Sequence, residues 1–447
     1  MNIENKKISI IGAVRSGVAA AKLAKKLGAF PFVSDSSDHE KISDFLFKLD
    51  EQKIPYEFGK HTDRVFDCDF IITSPGVPSD ASILVEAKRR KILVVSEIEF
   101  ASWFCKGKII AITGTNGKTT TTTLMAHVLN SCGVKTHLAG NIGFAFSEVA
   151  DKVLENEYVA LEVSSFQLDH IKDFKPNYAM LLNITPDHLD RYMNEYSFYK
   201  AAKYRIAENQ TETDFFLVNK ESKDIELNKI NIKPKWFYFS LNNDELAGCF
   251  ITEKRIYFKR NQISEIISTD ELALKGEHNY QNVMAVIIAA KLIGLDNERI
   301  KIALMNFKGV EHRLESVRIL DGVEFINDSK ATNVDSVWFA LRSFDKPIHL
   351  ILGGKDKGND YNQIKDEVKK RVKKIYAIGS SKEKVYDFFN KVVETESFKT
   401  FENAIESAKR NANENEIVLL SPACASFDMF QNYEHRGRVF KEIVRSL

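Results

Sequence analysis

The stretch Thr113-Gly114-Thr115-Asn116-Gly117-Lys118-Thr119-Thr120 lies between the apolar run Lys108–Ile112 and a helical pattern over Thr121–Asn130. Small residues let backbone N–H groups converge, a lysine adds a point charge, and a hydroxyl opening a helix suits Mg²⁺. Together they describe a phosphate cradle. That chemistry implies ATP, with Gly114, Thr115, Asn116, Gly117, Lys118, Thr119 and Thr120 around its phosphates and Thr119 as a metal ligand. Ile112 stands where the common pattern has its first glycine, which argues against an ordinary P-loop ATPase without weakening the phosphate chemistry. A plain turn between two elements would need no cation between Gly117 and Thr119.

Other candidates also sit at the ends of apolar runs. Glu162, in L-E-V-S-S-F-Q, is placed to hold Mg²⁺ near the phosphate loop, and read alone is equally an exposed strand-end glutamate. Asn183–Tyr192 gathers Asp187, His188, Asp190 and Arg191; His188 is either a Mg²⁺ ligand or an orienting donor, with a bland surface loop as the alternative. Lys203, in Y-K-A-A-K-Y-R, reads by periodicity as a solvated helix lysine. Asn327–Asn333, Gly353–Gly358 and Ser421–Ser426 place small, polar and cationic residues at three successive strand ends. Any one suits a helix cap; the three together describe a pocket for a small anion such as an amino-acid carboxylate. Gly12–Gly17 is similar to a dinucleotide fingerprint, but Val14 replaces its middle glycine, which argues against NAD. A nucleotide diphosphate held by Arg15, Ser16 and the helix start is still feasible, with Asp35 suited to a ribose or base.

The elements that must position these residues alternate along the chain. Strands at Lys7–Ile11, Phe32–Ser34 and Phe70–Thr73 precede a reset near Ser96–Lys106. The second unit follows with strands Lys108–Ile112, Tyr158–Val163, Tyr178–Ile184 and Phe215–Asn219, then antiparallel segments at Trp236–Ser240 and Arg255–Lys259. Helices are expected at His278–Leu292 and near Glu298–Asn306. A hairpin turned at Asp321-Gly322 opens the third unit, with strands at His349–Gly353, Lys374–Gly379 and Ile417–Ser421. The expected fold is α/β in three domains: an N-terminal Rossmann-like domain (1–98), a central P-loop-type ATPase domain with a mostly parallel sheet (99–308), and a C-terminal Rossmann-like domain (309–447).

Lys+Arg of 63 against Asp+Glu of 62 leaves a net charge of +1, so no global basic field recruits nucleic acid. Five dispersed cysteines without a C-x-x-C pair fit reduced thiols rather than a zinc site. With no visible signal peptide and no apolar run of membrane-spanning length, a cytoplasmic protein without membrane insertion is expected.

In this order the signals resemble the Mur ligase family, ATP-dependent ligases that add amino acids to UDP-N-acetylmuramoyl precursors of the bacterial cell wall. G-T-N-G-K-T-T, L-E-V-S-S-F-Q, N-I-T-P-D-H-L-D-R-Y, G-E-H-N-Y-Q-N and E-H-R-L-E carry the resemblance over essentially the whole chain. N-D-S-K-A-T-N and S-P-A-C-A-S-F-D-M-F are similar to the branch that adds D-glutamate to UDP-N-acetylmuramoyl-L-alanine. The resemblance implies Lys118 and Thr119 on ATP and a first Mg²⁺ with Glu162, and His188 on a second Mg²⁺. Lys203 falls on the family lysine that CO₂ converts to a carbamate, and the acquired carboxylate acts as or orients a metal ligand. Asn279 and Asn282 are implied beside the adenosine, and His312, Arg313 and Asp328 near ATP. Lys330, Thr332, Lys357, Ser426 and Tyr433 are implied for D-glutamate, and Arg15, Ser16, Asp35, Ser74, Asn141 and His188 for the UDP-sugar. A monomer is expected. Folylpolyglutamate synthase, a related ligase, lacks the N-terminal unit. A nucleotide-sensing scaffold has no use for Glu162, His188 and Lys203 together.

Overall fold

The computed structural model describes residues 1–226, 232–356 and 358–447, so Lys357 lies outside the described residues. The chain packs as two compact units, Met1–Leu272 with Asn279–Phe307, and Ala273–His278 with Lys308–Leu447.

The first unit contains two sheets. The N-terminal one has five parallel strands, β1 (Lys7–Ile11), β2 (Phe30–Ser34), β3 (Tyr56–Glu57), β4 (Phe70–Thr73) and β5 (Leu93–Ser96), in the order β3-β2-β1-β4-β5. Ile8, Ile10 and Ile11 are all buried, as a parallel strand covered on both faces requires. The strand order reverses at β1, so a crevice opens beyond the carboxyl ends of β1 and β4, where an open α/β sheet binds ligands.

The second sheet runs β6 (Lys108–Thr113), β7 (Thr136–Gly140), β8 (Tyr158–Glu162), β9 (Tyr178–Leu181), β10 (Phe215–Asn219), β11 (Lys235–Ser240), β12 (Ala247–Thr252), β13 (Arg255–Lys259) and β14 (Ile263–Ser268). Its order is β14-β13-β12-β11-β10-β9-β6-β8-β7, which puts the switch at β6 and aims the helix Lys118–Ser131 away from that strand's end. The segment Trp236–Ser240, expected to be antiparallel, instead runs parallel to both β10 and β12. Among the described residues of this sheet, the antiparallel pairs are β12 with β13 and β13 with β14.

The second unit contains β15 (Glu315–Leu320), β16 (Val323–Asn327), β17 (Ile348–Gly353), β18 (Val372–Ile378), β19 (Glu394–Ser397) and β20 (Ile417–Leu420), ordered β15-β16-β20-β17-β18-β19. β15 and β16 form the expected hairpin, with Asp321 (φ 52°) and Gly322 (φ 74°) both left-handed as a two-residue turn of this hand requires. The remaining pairs are parallel, so the carboxyl ends of β16, β20 and β17 lie side by side.

Candidate active site

The phosphate loop is held by the strand beside it. The Thr115 N–H donates to the Asn183 carbonyl (3.0 Å), and the Asn116 N–H donates to Asn183 Oδ1 (2.8 Å). Asn183 Nδ2 returns a bond to the Asn116 carbonyl (3.1 Å). Gly117 has φ 80°, and a Cβ there would stand 2.4 Å from Asn282 Oδ1, so glycine is required and Asn282 is brought against the loop. Asn282 in turn donates to Asn279 Oδ1 (3.3 Å).

Two lysines converge on one oxygen. Lys118 Nζ donates to the Gly114 carbonyl at 2.7 Å, and Lys203 Nζ donates to the same carbonyl at 2.8 Å. The expectation of a solvated Lys203 is therefore wrong: it is 1% exposed. Its helix, Tyr196–Tyr204, turns Tyr199, Ala202 and Lys203 inward at helical spacing, and the ammonium group lies over the Tyr199 ring at 4.6 Å. Burial first, and the Lys118 charge second, drive the Lys203 pKa well below its ordinary value, against a smaller pull from Asp187. A buried amine favoured in its neutral form is a nucleophile rather than an ion-pair partner.

Glu162 ends β8 with 1% exposure. Its Oε1 accepts a bond from Asn141 Nδ2 (3.1 Å), while Oε2 is buried without a hydrogen-bond partner among the described residues. Such an oxygen is costly unless a cation meets it, so the donor set here fits a hard divalent ion. His188, in left-handed conformation at φ 51°, is 40% exposed and meets the Phe166 ring edge-on at 5.0 Å. Its backbone N–H is fixed by Asp187 Oδ1 (2.9 Å).

Beyond β1 and β4 a cavity of about 730 Å³ is lined by Arg15, Ser16, Asp35, Ser74 and Asn141, all five named from the sequence, and also by His61. His188 is not among its lining residues. Asp35 organises the turn, accepting from the Ala13 N–H (2.6 Å) and the Ser37 N–H (2.8 Å). Arg15 Nη2 donates to the Gly140 carbonyl (2.9 Å), next to Asn141.

In the second unit the three loops expected to cooperate do meet. Asn327 Nδ2 contacts His312 Nδ1 (2.9 Å), the Lys330 N–H donates to the His312 carbonyl (3.1 Å), and Lys330 Nζ lies 5.3 Å above the Tyr433 ring. The Tyr433 ring thus has a partner in Lys330. Asp328 accepts from Ser421 Oγ (2.8 Å), and burial pushes its carboxyl up to about 6. Lys355 and Ala425 exchange backbone bonds (2.9 and 3.2 Å), which ties the β17 loop to the β20 loop that carries Ser426. Thr332 lies just before Asn333, whose Oδ1 caps the helix Val334–Arg342.

Arg436 is a residue the sequence reading missed. It is 1% exposed and donates to the Ser329 carbonyl (2.7 Å), Ser329 Oγ (2.9 Å) and the Cys424 carbonyl (3.1 Å), joining two of the three loops. Asn183 and His61 were missed as well. Asn183 was visible only as the first residue of its motif, and His61 carried no local signal.

Comparison with known proteins follows the same divisions. Residues 7–83 match the MurD N-terminal domain, residues 112–290 the Mur ligase middle domain, and residues 312–424 the Mur ligase glutamate ligase domain. The UDP-N-acetylmuramoylalanine--D-glutamate ligase of Chloroherpeton thalassium is 42% identical over 463 residues, covering 100% of this chain and 99% of that protein. The ligase of the same name from Christiangramia forsetii is 44% identical over 447 residues, covering 99% and 100%. Among solved structures, UDP-N-acetylmuramate-alanine ligase from Thermotoga maritima shares the fold (TM-score 0.62, 20% identity, 99% of this chain and 100% of that one). Full-length matches at this identity, with three family models in order, establish that the chain belongs to the Mur ligase family.

Proposed function

We propose that this chain joins D-glutamate to UDP-N-acetylmuramoyl-L-alanine at the expense of ATP, through an acyl phosphate, in peptidoglycan precursor synthesis. The observation that carries the reading is Asn141: it lines the N-terminal cavity and donates to Glu162, so a ligand there ends beside the carboxylate next to the phosphate loop. The names of relatives more than 40% identical over the full length support the choice of substrates.

In this reading the loop N–H groups and Lys118 hold the ATP phosphates, and Asn279 and Asn282 face the adenosine. Arg15, Ser16, Asp35, Ser74 and Asn141 hold the UDP-sugar, so that its alanyl carboxylate points at the γ-phosphorus. Thr119 and Glu162 would hold one Mg²⁺, and His188 with a carbamate on Lys203 would serve a second. When bound, the ions offset charge on the phosphoryl oxygens. The neutral amine of Lys203 is the form that attacks CO₂, forming the N–C bond and releasing one proton to solvent, and the resulting anion stands beside the Lys118 cation that shares the Gly114 carbonyl with it. His312, Arg313 and Asp328 attend ATP, while Lys330, Thr332, Lys357, Ser426 and Tyr433 receive D-glutamate, whose amine displaces phosphate from the acyl phosphate. We assign the domains as 1–98, 99–308 and 309–447, which agrees with three sheets and three family matches. The enzyme acts as a monomer in the cytoplasm; no described helix is long and apolar enough to cross a membrane.

The test is ADP release with UDP-N-acetylmuramoyl-L-alanine and Mg²⁺, D-glutamate being compared with L-glutamate and other amino acids. Only D-glutamate should yield ADP together with a new dipeptidyl nucleotide, and a response to none of the amino acids would end the reading. Lys330→Ala should raise the D-glutamate KM by about 10- to 100-fold, the loss of a charge-assisted contact, with the ATP KM unchanged. An unaltered D-glutamate KM would move the amino-acid pocket elsewhere.

A further inference from the structure

We propose that Arg191 is a positioning residue for the ligation, seating the loop after β4 against His188 so that the sugar end of the nucleotide faces the phosphate loop. The inference rests on the assignment of the N-terminal cavity to a UDP-sugar.

Pro75, Gly76 and Val77 follow β4 and line the cavity. Toward β1 the loop is fixed at Ser74, whose N–H donates to the Ile11 carbonyl (3.0 Å) and whose hydroxyl donates to the Gly12 carbonyl (3.3 Å). Past Ser74, residues from the loops of the second sheet take hold of it. Arg191 Nη1 donates to the Pro75 carbonyl (3.0 Å) and Nη2 to the Val77 carbonyl (2.8 Å), 116 and 114 positions away in sequence. Two donors of one rigid fork on two carbonyls of one turn fix both its distance and its rotation, which a single ammonium cannot do. Ser79 Oγ adds a bond to Asp169 Oδ2 (3.3 Å), and the same oxygen accepts from the hydroxyl of Tyr192 (3.2 Å), the residue after Arg191.

The other end of this contact is the candidate phosphate site. Arg191 lies in the single 3-10 turn Leu189–Tyr192 that His188 opens, and its N–H donates to the His188 carbonyl (3.0 Å). His188, Met193 and Asn194, on either side of that turn, are all left-handed, at φ 51°, 55° and 59°. Residues with side chains hold such angles where the surrounding contacts dictate them. Phe166 supplies two of those contacts: its ring meets the His188 ring edge-on at 5.0 Å and carries the Arg191 guanidinium 4.3 Å from its centroid. Phe166 itself follows Glu162 by four residues, in the short helix that leaves β8. Arg191 is not among the residues that line the cavity. It therefore acts through Pro75 and Val77, carrying the placement of His188 and Glu162 to the wall of the nucleotide cavity.

Kinetics and calorimetry on the full-length chain separate this role from a plain structural tie. Arg191→Met keeps the stem against Phe166 and loses the fork. It should lower kcat for ADP release by about 10²-fold, the cost of a reactant displaced by about 1 Å, with the ATP KM and the calorimetric Kd for UDP each within about threefold of wild type. Arg191→Lys, with one ammonium for two carbonyls, should keep no more than about a tenth of the wild-type kcat. Arg191→Ala, its unfolding midpoint measured alongside, should regain part of its kcat when methylguanidinium is added. A kcat for Arg191→Met within about threefold of wild type would overturn the proposal. So would a loss of UDP affinity as large as the loss of kcat, or an Arg191→Ala that methylguanidinium leaves unrescued, since Arg191 would then only hold the fold together. Failure of the wild type to bind UDP-N-acetylmuramoyl-L-alanine would instead overturn the cavity assignment beneath it.

Discussion

Two strand-to-helix loops in the first unit are built for anions, and they solve the problem differently. At Gly12–Gly17 the chain relies on fit. Gly12 sits at φ 99° with a Cβ position 2.8 Å from Ser74, and a Cβ on Gly17 would stand 1.8 Å from the Gly12 carbonyl. Its cation, Arg15, is spent on the Gly140 carbonyl and solvent rather than buried. At Gly114–Thr120 the chain instead concentrates charge, with two lysine amines on one carbonyl and a buried carboxylate oxygen of Glu162 unpaired nearby in the sheet. The first loop is complete as it stands and suits a ligand that is recognised. The second is electrostatically strained, and suits a ligand whose charge must be redistributed during reaction.

The largest expected effect tests that contrast at its centre. Lys118→Ala should lower kcat for ADP release by at least about 10³, the scale of removing a cation that faces a transferring phosphoryl group, with UDP affinity unchanged in calorimetry. A matching loss of UDP affinity would mean the two loops are not separable. Next comes Lys203. Lys203→Ala should lose about 10²-fold or more in kcat and regain part of it with added short carboxylates, as a residue whose anion orients a metal would. Lys203→Met should be similarly inactive yet more stable at pH 7 by about 1–3 kcal/mol, because it removes a buried amine and its crowding with Lys118. The sign follows from proton counting. The folded-state pKa lies well below 10.5, so between the two values the unfolded chain binds more protons, and wild-type stability rises with pH across that window. In Lys203→Met that slope should vanish, measured by denaturant titration in bicarbonate-free buffer. A wild-type slope of zero there would mean the amine is not buried in solution.

How far each loop is legible in the sequence follows from the same contrast. Glycines that must be glycines, and a lysine beside a helix start, leave local marks, so Gly12, Gly17, Gly117 and Lys118 are found by spacing alone. Lys203 is not, because its burial depends on which face of one short helix, the face it shares with Tyr199, meets the Gly114 carbonyl some ninety positions away in sequence. Arg436 and His61 are silent for the same reason: their partners Ser329, Cys424 and Ser34 are distant in the chain. Strands rich in Val and Ile declare themselves, whereas β7, with Thr136-His137-Leu138-Ala139-Gly140, mixes small and polar residues and shows no clear alternation. The direction of β11 is decided by its pairing with β10 and β12, which no local pattern encodes.

Two smaller substitutions sharpen the claim that the first loop works by fit. Gly12→Ala places a Cβ against Ser74 at a backbone angle that L residues avoid, so UDP affinity should fall by about tenfold while the ATP KM is unaffected. Val14→Gly should do least. Val14 has φ −96° and ψ −168°, which any residue adopts, and at 46% exposure it walls the cavity without closing it. Removing the side chain restores the glycine of a dinucleotide fingerprint but adds only backbone freedom, at a cost of about 0.5–1 kcal/mol, so UDP affinity should change by less than about fivefold. NAD affinity should not appear, because the shape of this crevice is set by Gly12, Gly17 and Ser74 in contact, and not by the absence of a side chain at position 14. Measurable NAD binding to Val14→Gly would mean that Val14 alone had been excluding the dinucleotide, and that the loop selects its ligand by obstruction rather than by fit.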